Sequence, residues 1–377
     1  MKTLEEKIIE KITKDGPITF KTFMDMALYY PELGYYSSPE AIIGRKGDFY
    51  TSPHLHPIFG AMIGKQLLEM WKFMDTPPEF HAIEMGAGMG YLCKDIIDYL
   101  SRDGNETASF LQSLKYTIVE PCVHLEKQQK KVLGRLAENV TWCRSLKELK
   151  ATKGCVFSNE LLDSFPVHLI EMNDKLNEIH VGYNNGKFND EKLDISSEEI
   201  IDYVNLFSIN PDKGYRTEIN IEIKNWLEDI ATVLFSGFIL TIDYGYTARE
   251  YYSDDRTGGT LLCYYKHQYN DNPYQHIGQQ DITAHLNFSS LKIWGDALGF
   301  KTLGYCPQGT FLTASGIDEI IVELYSDRPD YLSEISKIKG LIFPQGMGES
   351  HNFMIQYKGE GTPDLRGFSM RNLATTL

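Results

Sequence analysis

The residues best placed to do chemistry are acids and glycines in short polar breaks between apolar runs. Glu84 is followed by Gly86, Gly88 and Gly90, then by the helix-like stretch Tyr91-Leu-Cys-Lys-Asp-Ile-Ile-Asp-Tyr-Leu100. Glycines at alternate positions let a backbone turn tightly and approach a ligand with no Cβ atoms in the way, as a nucleotide-type cofactor requires. The dinucleotide fingerprint G-x-G-x-x-G is not matched, because the third glycine arrives one residue early. Glu120 ends the run Lys115-Tyr-Thr-Ile-Val-Glu120, and a carboxylate there can accept from both hydroxyls of a ribose. The stretch Ser158-Asn-Glu-Leu-Leu-Asp-Ser-Phe-Pro166 gathers Asn159, Glu160 and Asp163. Carboxylates at that place suit a cationic acceptor, and Glu160 can meet a guanidinium in a fork geometry. The alternative is that Asn159 caps a helix beginning at Glu160 and the acids complement its dipole. Asp243, in Thr241-Ile-Asp-Tyr-Gly245, either lines an acceptor pocket or caps the loop after it. Asp281 and His285 fall together in Gln279-Gln-Asp-Ile-Thr-Ala-His285. A histidine there either relays the proton lost by an acceptor amine or is structural.

These residues need a scaffold, and the chain between 80 and 158 alternates strand and helix patterns. Strands are expected at Ala82–Met85, Lys115–Glu120, Val140–Cys143 and Gly154–Ser158. That alternation predicts a doubly wound α/β sheet with its strand carboxyl ends, and hence the chemistry, on one edge. Residues 1–78 read as an N-terminal helical extension with a loop, Gly44–Pro53, whose Thr51 and Ser52 are placed to cover the cofactor. Residues 79–166 form the cofactor-binding half of the core. Residues 167–236 read as an inserted β-ribbon with helices, turning at Asn173-Asp174 and Asn184-Asn-Gly186. Residues 237–358 supply the second half, with strands at Gly237–Gly245, Phe300–Tyr305 and Asn352–Tyr357. A long insertion, about 246–284, lies within that half on the substrate side. It carries seven tyrosines from Tyr246 to Tyr274, which argues for order. Residues 359–377 read as a loose tail.

Composition bounds the function. A formal charge of −15 over 377 residues argues against broad binding to nucleic-acid phosphates. No apolar run approaches the roughly 20 residues that span a bilayer. The six cysteines are scattered with no C-x-x-C pair, and they read as reduced core thiols with no metal site. The amino terminus reads as an amphipathic helix without a secretory or mitochondrial signal, so a cytoplasmic bacterial protein is the simplest expectation. A homodimer is left open.

The E-x-G-x-G-x-G spacing at Glu84 to Gly90 looks like motif I of the S-adenosylmethionine (SAM) methyltransferases. With Pro31–Tyr36, Gly47-Asp-Phe-Tyr-Thr-Ser-Pro53, Asn159-Glu-Leu-Leu-Asp163, Gly278–His285 and Gly309-Thr-Phe-Leu312, the chain resembles the MidA-like class I SAM-dependent methyltransferases. Mitochondrial members of that family assist assembly of respiratory complex I and are similar to protein arginine methyltransferases in activity. The resemblance runs from about Gly16 to Tyr357. It implies a Rossmann-like fold, SAM as cofactor, and a protein substrate. It also implies a SAM role for Gly86, Gly88, Gly90 and Glu120, and a cofactor or acceptor role for Asn159 and Glu160; Glu84, Thr51 and Ser52 are further expected cofactor contacts. Glu160, Asp163 and His285 are the expected catalytic residues.

Two departures stand out. After Thr-Ser-Pro the family commonly has Glu, where this chain has His54. A mitochondrial presequence is not seen either, which puts the complex I substrate in doubt. Methylation of a small molecule, or SAM binding by an assembly scaffold without turnover, are the competing readings. A hydride-transferring dehydrogenase fits the glycine spacing poorly.

Overall fold

The strongly apolar runs of the sequence become strands because both faces of the sheet they build are covered. In the computed structural model, which describes residues 2–39, 52–102, 104–210 and 212–377, these strands are β1 (Phe80–Met85), β2 (Leu114–Val119), β3 (Val140–Cys143), β4 (Thr152–Asn159), β5 (Leu234–Tyr246), β6 (Lys301–Pro307) and β7 (His351–Lys358). Their spatial order is β3-β2-β1-β4-β5-β7-β6. Strands β1 to β5 pair in parallel, whereas β7 runs antiparallel to both β5 and β6. Phe238, Ile239, Leu240 and Ile242 on β5 are all fully buried, the continuous apolar pattern of a strand with no wet face. The helix Ile58–Phe73 packs on the helix Tyr91–Leu100, and Phe59, Met62, Ile63, Ile96 and Leu100 are buried among the core residues they share.

The mixed sheet corrects one expectation. Parallel crossovers bring strand carboxyl ends to one edge, but β7 slots between β5 and β6 in the opposite sense. It therefore delivers its amino end, His351, to that edge.

The chain divides into two compact units that interleave in sequence. The sheet belongs to the unit formed by Tyr50–Leu161, Trp226–Gly245 and Phe288–Leu377. Its last segment, which reads as loose in the sequence, is packed: Leu365 and Phe368 are buried, and the Leu373 N–H donates to the Tyr305 carbonyl at 2.7 Å. Two apolar anchors and a strand-edge hydrogen bond are enough to fix a polar tail.

The other unit comprises Met1–Phe49, Leu162–Asn225 and Tyr246–Asn287. The helices Leu4–Asp15 and Phe20–Tyr29 are capped by Thr3 and Thr19. They pack their apolar faces with Val167, Leu169, Ile179 and Val181 from an antiparallel ribbon. That ribbon runs Ile18–Thr19, Leu176–Asn184, His168–Met172, Arg216–Ile219, with Lys187–Leu193 on the side of Leu176–Asn184. Asn185 and Gly186, both at positive φ, make its hairpin turn. In Arg216–Ile219 the β-branched Thr217 and Ile219 are buried in the ribbon, and the helix that follows starts at Glu222. The tyrosine-rich insertion is ordered too, with strands Leu262–Tyr265, Gln268–Asn270 and Asp281–Thr283 forming a small sheet.

Candidate active site

The chain builds the sheet outward from β1 to β3, then returns to the other side of β1 to lay down β4. Such a reversal of direction opens a crevice beyond the carboxyl ends of the two central strands. The segments that leave β1 and β4 are the glycine loop and Asn159-Glu160.

The glycine loop is held in conformations that favour glycine. Gly86 and Gly90 have φ of 73° and 82°. A Cβ on Gly86 would lie 2.9 Å from Leu161 Cδ1, and one on Gly90 would lie 3.0 Å from Leu133 Cδ1. Gly88 also has positive φ. Gly90 is the residue before the helix Tyr91–Leu100 and offers no side-chain cap. The N–H groups of that first turn therefore face the loop.

Glu120 lies just beyond β2 and is buried. Its Oε1 accepts from the Cys122 N–H at 2.9 Å and its Oε2 from Gln129 Nε2 at 2.8 Å. Gln129 Nε2 also donates to the Gly88 carbonyl at 2.9 Å, while Gln129 Oε1 accepts from Trp142 Nε1 at 2.9 Å. One fully buried amide thus ties the acid to the glycine loop. Burial pushes the Glu120 carboxyl up to about 7, against the two donors that pull it down. Glu84 points into the core, where the Tyr116 hydroxyl donates to Oε2 at 2.6 Å; burial pushes this carboxyl up to about 7 as well.

On the other side of the reversal, Glu160 sits at φ 51° and its N–H donates to the Ile242 carbonyl of β5 at 2.8 Å. No helix begins there; the chain passes into a short 3-10 turn, Leu162–Ser164. Asn159 is therefore not a helix cap. Its Nδ2 donates to Glu160 Oε1 at 3.1 Å, and the Ser52 N–H donates to the same oxygen at 3.3 Å. His351 Nε2 lies 3.7 Å from it. The Glu160 and His351 side chains are 6% and 9% exposed. Ser52 is itself buried, its hydroxyl bonded to Gln308 Oε1 at 3.1 Å.

Comparison with known proteins decides what this crevice belongs to. Residues 62–306 match the model of a family described as "Putative S-adenosyl-L-methionine-dependent methyltransferase". The chain belongs to that family. It is 26% identical over 372 residues to the rat mitochondrial protein arginine methyltransferase NDUFAF7, covering 92% of this chain and 82% of the relative. The Drosophila homologue is 25% identical over 95% of this chain and 85% of its own. A crystal structure from Burkholderia thailandensis, bound to S-adenosyl-homocysteine, is 29% identical with a TM-score of 0.88, covering 99% of this chain and 96% of that one.

The residues of this methyltransferase fit SAM. The three glycines stand at positive φ, two of them packed so closely on Leu161 and Leu133 that a Cβ would force the turn apart, and a buried acid just beyond β2 keeps spare lone pairs for ribose hydroxyls. Among the described residues no cluster of His, Cys, Asp or Glu suits a metal, and none of the helices is long and apolar enough to cross a membrane.

The other expected site residues divide. Thr51 lies outside the described residues. Asp163 and His285 belong to the unit with the ribbon. There Asp163 is buried and its carbonyl accepts from the Ala284 N–H at 2.9 Å. His285 stacks on Tyr246 with centroids 5.2 Å apart, and its N–H donates to Thr260 Oγ1 at 3.0 Å. Asp243 is fully buried at the end of β5, its Oδ1 accepting from the Tyr244 N–H at 2.9 Å. Sequence reasoning missed Gln129 and His351. The Gln129 signal was a polar residue on the buried side of the helix Val123–Leu133. For His351 the signal was a polar residue opening a buried strand.

Proposed function

We propose that this methyltransferase transfers the methyl group of SAM to the guanidinium of a protein arginine, with Glu160 as the residue that receives it. The observation that carries this reading is how the Glu160 carboxylate is held. Asn159 and Ser52 both donate to Oε1, and among the described residues no lysine or arginine pairs with Glu160. A largely buried carboxylate with one open oxygen is a place for a cation, because desolvating it without one is costly. A guanidinium N–H directed at Oε2 would fix its nitrogen while the Oε1 contacts stay made. The names of the relatives, protein arginine methyltransferases, point the same way.

Bound SAM supplies an electrophilic methyl group on a sulfonium sulfur. The chain's part is alignment, which can account for most of the rate of an in-line displacement. Gly86, Gly88 and Gly90 would hold the cofactor's amino-acid end, with Glu84 supporting the strand beneath them, and Glu120 would hold its ribose. Asn159 and Ser52 orient Glu160. Glu160 Oε2 would orient the acceptor and is the atom placed to take the proton that nitrogen loses.

The test is transfer of tritiated methyl from SAM into the proteins of a deletion-strain lysate, followed by acid hydrolysis. Label recovered as methylarginine is expected. Label confined to low-mass material, or to another amino acid, would overturn the arginine reading.

A further inference from the structure

β7 runs against β5 and β6, so it starts, rather than ends, at the active edge. Its first residue, His351, pairs across the sheet with Tyr244 of β5 and has its ring edge-on to that tyrosine at 5.6 Å. The imidazole is buried, the side chain being 9% exposed. Nδ1 lies 3.0 Å from Ser350 Oγ, so a hydroxyl that can donate stands at that nitrogen. Among the described residues, Nε2 is a buried nitrogen without a hydrogen-bond partner, and the acid 3.7 Å away is Glu160, through Oε1. A buried polar atom left unpaired costs free energy, and it is kept where it has a use. Catalytic hydrogen bonds are often long in the free enzyme and shorten when the substrate is bound.

We infer that His351 is a positioning residue for Glu160. Its neutral tautomer carries the proton on Nε2 and closes onto Oε1 when an acceptor cation occupies Oε2. This rests on the reading of Glu160 as the acceptor-binding carboxylate. Three donors from three segments, Ser52, Asn159 and His351, then hold one oxygen, and the other is aimed at the substrate. A histidine suits the task because its ring donates without bringing the permanent charge of a lysine or arginine, which would occupy the carboxylate in the acceptor's place. The Ser350 hydroxyl, donating to Nδ1, sets that tautomer.

Two variants and one spectrum test it. His351→Gln keeps a side-chain N–H near the position of Nε2, and His351→Leu removes it. In the lysate labelling assay His351→Leu is expected to lose about tenfold or more in rate, the effect of removing one hydrogen bond to a charged group. The loss should fall on turnover, with SAM affinity by calorimetry unchanged, and His351→Gln should recover most of it. In 15N-labelled protein, an imidazole resonance with the proton on Nε2, assigned by its absence in His351→Gln, is expected to shift in Glu160→Gln. Equal rates for His351→Leu and wild type would overturn the inference, as would a resonance indifferent to Glu160→Gln. If instead Glu160→Gln is itself fully active, the reading of Glu160 fails, and that outcome is distinct. The spectrum compares wild type with Glu160→Gln and does not depend on His351→Leu folding.

Discussion

Two carboxylates on the same sheet edge are treated in opposite ways. Glu120, beyond β2, has a donor on each oxygen, Cys122 on one and Gln129 on the other. Among the described residues, Glu160, beyond β4, receives donors on Oε1 alone, from Asn159 and Ser52. The first acid belongs to a closed network that reaches Gly88 and Trp142 through one amide. The second is fastened on one side and open on the other. Under the proposed function, the difference separates a cofactor whose ribose makes the same contacts in every turnover from an acceptor cation that needs an oxygen left for it. A rigid acid with a donor fixing each oxygen suits the former, and an acid held through one oxygen suits the latter.

The sharpest way to break this contrast is Glu160→Gln. It keeps shape and hydrogen-bonding capacity but removes the charge. Methyl transfer is expected to fall by about two to three orders of magnitude, the range seen when a preorganised electrostatic contact to reacting groups is lost. SAM affinity, measured by calorimetry, should stay within about threefold. If both quantities fall together, the two carboxylates are not functionally distinct.

The mirror experiment is Gln129→Leu. It strands Glu120 Oε2, the Gly88 carbonyl and the Trp142 indole N–H at once. Each orphaned buried group costs about 1–3 kcal/mol, so SAM affinity is expected to weaken by about tenfold or more. Turnover at saturating SAM should change little. A variant that binds SAM normally would show that the network is only packing.

Much of the cofactor side was legible in the sequence, because short-range rules govern it. A glycine that must sit at positive φ, an acid at the end of a strand and a helix that starts at once all lie within a few residues of one another. The acceptor side was legible only in part. Glu160 could be named, but the chain positions it with Ser52, 108 residues earlier, and with His351, far later in the sequence, in no simple motif; what joins them is the sheet order. The sense of β7 decided His351, and an apolar strand pattern is the same read in either direction. Asn159 misled for a local reason. Asx residues before acids commonly cap helices, yet the positive φ of Glu160 turns the chain away from helix.

The contrast also has a pH signature. Burial raises the Glu120 carboxyl from 4.5 to about 7, so between those values the folded protein holds a proton that the unfolded chain has lost. This group's contribution to the stability of the free protein is present below about pH 4.5 and is lost as pH rises through about 7. Ribose hydroxyls donate to the ionised form, so SAM affinity runs the other way. It should be full above pH 7 and weaken as pH falls, approaching about tenfold per unit. Glu84 titrates in the same range but is spent on Tyr116, so Glu120→Gln should flatten most of the affinity slope. A slope that survives Glu120→Gln would move the effect to another group.

The smallest effect is expected at His54, the position where related sequences commonly carry Glu. The His54 ring stands edge-on to Tyr91 at 5.1 Å, against the first residue of the helix that follows the glycine loop. This touches the cofactor side of the edge, where the network is already closed. Replacing His54 with Glu would trade an aromatic contact worth about 0.5–1.5 kcal/mol for a negative charge near a helix amino terminus, worth about 0.3–1 kcal/mol. The two nearly cancel, so thermal stability and SAM affinity should each change only slightly, the latter by less than about threefold. A larger change in SAM affinity would mean that this helix end reads the cofactor through the side chain at 54. A change confined to the rate with one class of acceptor would instead mean that the closed side of the edge takes part in choosing the substrate, and the separation between the two carboxylates would have to be redrawn.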